Sequence, residues 1–330
     1  MDLSRIKNRI FREDSSSHFE ELALEIFRHQ AKAVPIYAKF LDILNVDPSR
    51  IDSIENIPFL PVRFFKTHSV NDLTGPVVSV FTSSGTTGQT PSRHEVIDPD
   101  LYRNAYMEGF RYFYGEPTDY RILALLPSYL ERKGSSLIDM VRGLIEASGE
   151  PESGFFLDDL ATLSHLLEHP PKGKKNLLIG VSFALLDLAE RSPIPLNRTL
   201  IMETGGMKGR RKELVRDELH SILRQAFSIN EVHSEYGMTE LLSQAYSKGE
   251  GKFKTPPWIR VLIRDTDDPF SFAPIGRTGG INVIDLANLH SCSFLELEDL
   301  GRKFADDTFE VLGRFDTSEV RGCNLMVSDL

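Results

Sequence analysis

Between residues 98 and 240 the chain alternates short apolar runs with longer amphipathic stretches, and this alternation constrains the fold more than any other feature. Residues 121–126, 154–157, 177–180, 199–203 and 231–235 read as strands, while 101–114, 135–147, 160–167, 185–189 and 211–226 read as helices. Strands alternating with helices of about 10–15 residues are the mark of βαβ units, so parallel sheets flanked by helices are expected. After residue 256 the helical pattern stops. Residues 259–263, 280–284, 293–297 and 309–312 read as short strands of a β-rich lobe. Upstream, Phe19, Leu22, Ala23, Ile26 and Phe27, then Tyr37, Phe40, Leu41 and Leu44, recur at helical spacing, with Pro35 interrupting. Residues 62–65 and 77–81 read as strands after the punctuation of Pro58 and Pro61. The expected organisation is a helical N-terminal segment (1–75), an α/β core (76–255), the β-rich lobe (256–312) and a C-terminal tail (313–330).

A chain of 330 residues buries enough surface to fold without disulfides or metal. Its 38 basic and 48 acidic residues leave a formal charge of −10, which argues against general nucleic-acid binding. The longest apolar stretch, 177–186, falls far short of the roughly 20 residues of a membrane span. The N-terminus lacks the apolar core of a signal peptide. The two cysteines, Cys292 and Cys323, are not spaced as a CxxC pair. A soluble, cytoplasmic protein without a membrane span is expected.

Four segments carry chemistry-bearing residues. Thr82-Ser83-Ser84-Gly85-Thr86-Thr87-Gly88-Gln89-Thr90-Pro91 follows an apolar strand. Its glycines let backbone approach an anion, and its amides and hydroxyls suit phosphate oxygens, although no Gly-Lys-Ser/Thr of a Walker loop is present. His233-Ser234-Glu235-Tyr236-Gly237-Met238-Thr239-Glu240 ends a strand, where ligands bind in α/β folds. Its ring, hydroxyl and carboxylate suit a base, a phosphate and a divalent cation. Thr204-Gly205-Gly206-Met207-Lys208-Gly209 lies between a strand and a helix, and Leu312-Gly313-Arg314-Phe315-Asp316 ends the β-rich lobe. Each segment, taken alone, also reads as an ordinary polar turn.

In this order, the four segments together with Leu297-Glu298-Asp299-Leu300-Gly301 resemble the adenylate-forming enzyme superfamily. Ile57-Pro58-Phe59-Leu60-Pro61-Val62-Arg63-Phe64-Phe65-Lys66, Leu126-Pro127-Ser128-Tyr129-Leu130-Glu131-Arg132 and Glu319-Val320-Arg321-Gly322-Cys323-Asn324-Leu325 are similar to its acyl-protein synthetase branch. That branch is the acid-activating component of the bacterial luminescence fatty acid reductase system, related to phenylacetate-CoA ligases. The resemblance implies the large N-terminal domain of these enzymes, parallel sheets flanked by helices plus a β-rich lobe, with the small C-terminal domain absent.

It also implies a reaction. A carboxylic acid, of the fatty type, attacks ATP to give acyl-AMP and pyrophosphate, with Mg²⁺ as cofactor. Ser83, Ser84, Gly85, Thr86, Thr87 and Gly88 would hold the β- and γ-phosphates. Tyr236, with Gly237, would stack on adenine, and Gly205 and Gly206 would line the adenine or acyl pocket. Thr239 would bind the α-phosphate, Glu240 Mg²⁺, and Asp299 the ribose hydroxyls, with Arg314 steadying ribose or phosphate. The family loop usually carries a lysine soon after Gly88; here Arg93 is the nearest cation. Cys323 is the expected acyl carrier, with Arg314 and Arg321 favouring its thiolate and a reductase-like or acyltransferase protein as recipient. Cys292 reads as a buried structural thiol. Two rival outcomes stay open: transfer to CoA, a carrier protein or a sugar amine, and a scaffold that kept the fold without the chemistry. Phe64, Phe65, Phe110, Tyr112, Phe113 and Tyr129 fit either an acid pocket or plain core.

Overall fold

The computed structural model describes residues 3–12, 17–83, 90–127, 134–205 and 214–314. Of the residues expected at the site, Ser84, Gly85, Thr86, Thr87, Gly88, Gly206, Tyr129, Arg321 and Cys323 lie outside the described residues.

The N-terminal segment contributes α1 (Leu3–Ile10), α2 (Phe19–Ala33) and α3 (Pro35–Ile43). Pro35 is the first residue of α3, where its missing amide and fixed φ cost nothing, so the expected interruption becomes a helix start. There follow β1 (Leu60–Pro61), α4 (Phe64–Thr67), β2 (Ser79–Thr82), β3 (Arg93–Val96) and α5 (Pro99–Tyr114). The expected alternation then unfolds as β4 (Tyr120–Leu125), α6 (Ser136–Ser148), β5 (Gly154–Phe155), α7 (Leu160–Glu168), β6 (Lys175–Val181), α8 (Ser182–Arg191), β7 (Thr199–Thr204), α9 (Arg216–Phe227) and β8 (His233–Tyr236). The remaining described elements are all strands: β9 (Ala245–Ser247), β10 (Phe253–Lys254), β11 (Ile259–Arg264), β12 (Thr278–Asp285), β13 (Phe294–Lys303) and β14 (Phe309–Arg314).

One twelve-stranded sheet, in the order β11-β12-β13-β14-β10-β9-β8-β7-β6-β4-β5, joins the two halves, with β1 added against β13. From β5 to β8 all neighbours are parallel. From β8 through β9 onward this path is antiparallel. All of β4 and all but the first residue of β6 are buried, as expected of parallel strands covered on both faces. The seam between the parallel and antiparallel parts falls at β8/β9.

Two departures from the sequence reading matter. Residues 62–65 are not a strand. Only Leu60 and Pro61 pair, in parallel with Leu295 and Glu296 of β13, and the chain then turns into α4. A short apolar run does not distinguish strand from helix; here Phe64 and Phe65 bury their rings from one helical turn. The second departure is β13, which continues to Lys303 through charged residues. Its apolar first half pairs with β1 and its polar second half with β14.

Candidate active site

The β2–β3 hairpin closes the base of the serine-, threonine- and glycine-rich loop. The Ser83 amide donates to the Ser92 carbonyl (3.1 Å), and the Ser92 amide donates to Ser83 Oγ (2.9 Å). Arg93 begins β3 opposite Thr82 and is exposed. His94, one residue on, is buried and donates from Nδ1 to the Thr239 carbonyl at 2.9 Å. Burial pushes its pKa down to about 4, so the ring is neutral and fixed as a donor. The hairpin is thereby tied to the turn after β8.

Tyr236 ends β8 and crosses to the β-rich lobe. Its hydroxyl donates to Asp299 Oδ2 at 2.7 Å, and its ring lies 5.8 Å from Phe253 and 6.0 Å from Phe309. Asp299 stands where β13 changes partner and is opposite Arg314 in register. Burial pushes the Asp299 carboxyl up, against the Tyr236 hydrogen bond and the charge of Arg314. Arg314 is exposed.

Thr239 and Glu240 follow in a turn held from beneath. Asp285 accepts from the amides of Leu242 (3.0 Å) and Ser243 (2.9 Å) and from the Ser243 hydroxyl (2.8 Å). Asn288 Nδ2 donates to the Glu240 carbonyl at 2.9 Å, and the Trp258 indole N–H donates to Ser243 Oγ at 3.0 Å. Glu240 is 4% exposed, and burial pushes its carboxyl up, opposed by Ser92, its own amide and the charge of Lys66. Lys66, at the end of α4, sits 3.5 Å from Glu298 on β13. Among the described residues no group of three or more His, Cys, Asp or Glu forms a metal cage. A single buried carboxylate such as Glu240 still fits Mg²⁺, which takes few protein oxygens and completes its shell with phosphate and water.

Gly205 ends β7 with φ +66°, and its carbonyl accepts from Ser182 Oγ at 2.7 Å. Glu203, in the same strand, is met by His220, Arg216 and Ser234, which together outweigh burial and lower its pKa. Glu235, its neighbour on β8, is met by the Thr204 hydroxyl. Burial, with Glu203's charge, pushes Glu235 up to about 7.

The geometry thus brings Ser83, Gly205, Tyr236, Gly237, Thr239, Glu240, Asp299 and Arg314 to the strand ends around one seam. Sequence reasoning gave no role to Lys66, Ser92, His94, Asp285 or Asn288. A carboxylate closing the apolar run Gly280–Asp285 was a signal for Asp285; the others become visible only once β1 and β3 are placed. Of the aromatic residues offered for an acid pocket, Phe64, Phe65 and Phe110 are core and Tyr112 is exposed. Cys292 is fully buried and its thiol is pushed up to about 12, as a structural cysteine's would be.

No protein-family model and no curated protein sequence matches the chain. Solved structures do. A 2-hydroxyisobutyryl-CoA ligase in complex with 2-HIB-AMP and CoA superposes with a TM-score of 0.65 at 15% identity, over 90% of this chain and 70% of that one. ATP-bound MatB from Rhodopseudomonas palustris gives 0.56 at 14% identity, over 75% and 49%. The amide bond synthetase McbA from Marinactinospora thermotolerans gives 0.52 at 18% identity, over 72% and 48%. The chain matches about half the length of MatB and McbA. The fold is the expected one, that of the large N-terminal domain of adenylate-forming enzymes. Among the described residues no helix is long and apolar enough to cross a membrane.

Proposed function

We propose that this protein is an ATP-dependent ligase that activates a carboxylic acid, of the fatty type, as its acyl-adenylate and passes the acyl group to Cys323 as a thioester. The observation that carries the first half is the convergence of Glu240, the Tyr236–Asp299 pair and the Ser83–Ser92 loop base at one seam. That convergence occurs in a fold shared with an acyl-CoA ligase bound to its adenylate. A carboxylate oxygen of the acid attacks the α-phosphorus, and the bond to the bridging oxygen breaks to release pyrophosphate. Positioning and charge neutralisation supply most of the acceleration.

The β2–β3 loop, including Ser83, Ser84, Gly85, Thr86, Thr87 and Gly88, holds the outer phosphates. Thr239 bonds the α-phosphate. Glu240 would hold Mg²⁺, which neutralises phosphate charge. Tyr236 and Gly237, with Gly205 and Gly206, frame the adenine; Asp299 takes the ribose hydroxyls and Arg314 steadies them. Residues 76–255 act as the nucleotide-binding core, and 256–312 supply Asp299. The Cys323 thiolate then attacks the acyl carbonyl and AMP leaves. A reductase-like or acyltransferase protein receives the acyl group, and the chemistry is cytoplasmic.

A second reading is favoured by the likeness to a CoA ligase and an amide bond synthetase: transfer to CoA, a carrier protein or an amine. Intact-protein mass after incubation with ATP, Mg²⁺ and a pool of acids separates the two. An ATP-dependent, hydroxylamine-labile adduct absent from Cys323→Ser supports the thioester; pyrophosphate release with no adduct supports an external acceptor. Glu240→Gln is expected to abolish acid-dependent ATP–pyrophosphate exchange while the thermal unfolding curve stays cooperative. Full exchange in that variant removes Glu240 from the metal role.

A further inference from the structure

The face of the sheet opposite the Tyr236 side chain carries a polar row where apolar residues belong. Thr204 of β7, Glu235 of β8 and Tyr246 of β9 are register partners across three adjacent strands, so their side chains lie side by side. All three are buried, at 2%, 8% and 2% exposure. Gln244 lies two residues before Tyr246 on the same face and is 5% exposed. Gly237 lies two residues after Glu235. A Cβ there would fall 2.5 Å from Glu235 Oε1 and 3.4 Å from Gln244 Cγ, so the glycine leaves open the point where these two side chains meet. Helix α5 covers the row: the Tyr114 and Phe113 rings pack at 5.4 and 5.2 Å from that of Tyr246.

A polar row this deep is ordinarily self-satisfied. Here the Tyr246 hydroxyl and Gln244 Oε1 are buried without any hydrogen-bond partner. Among the described residues Glu235 meets one hydroxyl, Thr204, and no cation. Glu235 thus has Gln244 beside it at the opening Gly237 leaves and Tyr246 opposite it in register, next to Tyr236 in the sequence and five residues before Glu240. Burying the Tyr246 and Gln244 oxygens without a partner is costly, and a ligand that supplies a donor recovers that cost.

We propose that Glu235, Gln244 and Tyr246 form the specificity determinant of the acid site, and that the acid activated there carries a hydrogen-bond donor, a hydroxyl or a protonated amine, which they receive. The proposal rests on the adenylation reading above and narrows its substrate class. A plain alkyl chain leaves the Tyr246 and Gln244 oxygens unpaired and Glu235 with the Thr204 hydroxyl alone, whereas a donor-bearing chain can satisfy them, and sites built this way discriminate strongly against the analogue that lacks the group.

The test is acid-dependent ATP–pyrophosphate exchange on the full chain. Matched series are compared: hexanoate with its 2-, 3- and 6-hydroxy and 6-amino forms, and benzoate with its 4-hydroxy and 4-amino forms. At least one donor-bearing acid is expected to exceed its parent by about a hundredfold or more in kcat/KM. The hydroxyl and amine arms tell which donor is read. Glu235→Gln and Tyr246→Phe, both near-isosteric, are expected to shrink that ratio at least about tenfold with no change in the KM for ATP. Parent acids that match every donor-bearing form overturn the proposal while leaving adenylation standing, and so does a ratio unmoved in both variants. Absence of exchange with every acid overturns the adenylation reading and this proposal with it.

Discussion

Glu203 and Glu235 stand on neighbouring strands, equally buried, and differ in the company they keep. Glu203 has Arg216 at 3.3 Å and His220 at 3.8 Å, and its pKa is lowered. Glu235 has a hydroxyl and a like charge, and its pKa is raised to about 7. The linkage signs are therefore opposite. A raised carboxyl pKa favours the fold below the ordinary value near 4.5 and costs stability as pH climbs through about 7. Glu235→Gln should therefore raise the Tm at pH 8, by the equivalent of about 2–3 kcal/mol, and change it little at pH 5. Glu203→Gln should lower the Tm at pH 7, because it leaves Arg216 without its carboxylate; breaking such a pair costs about 3 kcal/mol. Melts of the two variants at both pH values check both signs. The sequence made Glu235 conspicuous by its place beside Tyr236, but its chemistry was not legible there. The residues that set it besides burial, Thr204 and Glu203, lie 31 and 32 positions before it on β7 and meet it only through strand pairing.

At the scale of elements, β13 organises the site. It takes β1 along its apolar half and β14 along its polar half, and the change of partner places Asp299 against Arg314 and within reach of Tyr236. A register shift between Leu300 and Gly301 follows at once, and only glycine fits there: a Cβ at Gly301 would lie 2.6 Å from the Glu310 carbonyl oxygen and 2.7 Å from Ile281. Gly301→Ala should cost about 2–4 kcal/mol and raise the KM for ATP, since it disturbs the Asp299–Arg314 register. A variant with wild-type Tm and KM would contradict that account. The parallel half of the sheet was readable in advance, because strands such as β4 and β6 are continuous apolar runs between amphipathic helices. The two-residue strand β1 was not. Its two residues carry no periodicity, and its place is set by Glu296, whose carbonyl takes the Val62 amide at 2.9 Å.

For the whole molecule, the twelve-stranded sheet means that the parallel core and the β-rich lobe share hydrogen-bonded strands instead of a sliding interface. Unfolding should therefore be one calorimetric transition, with van't Hoff and calorimetric enthalpies in agreement, and ATP with Mg²⁺ should move that transition upward as a whole. Two resolved peaks, only one of them shifted by nucleotide, would contradict this continuity. The N-terminal helices join the same unit: Gln30 of α2 donates to the carbonyls of Asn288 and Leu289, and Asn288 in turn holds Glu240.

The indole of Trp258 has a consequence of its own. The chain contains one tryptophan, so all indole emission comes from a ring whose N–H is bonded to Ser243, three residues from Glu240. The protein therefore carries an unlabelled optical probe wired to the turn that holds Glu240. Any rearrangement of that turn during turnover will register as a change in the intensity or colour of its fluorescence, in real time and without a dye.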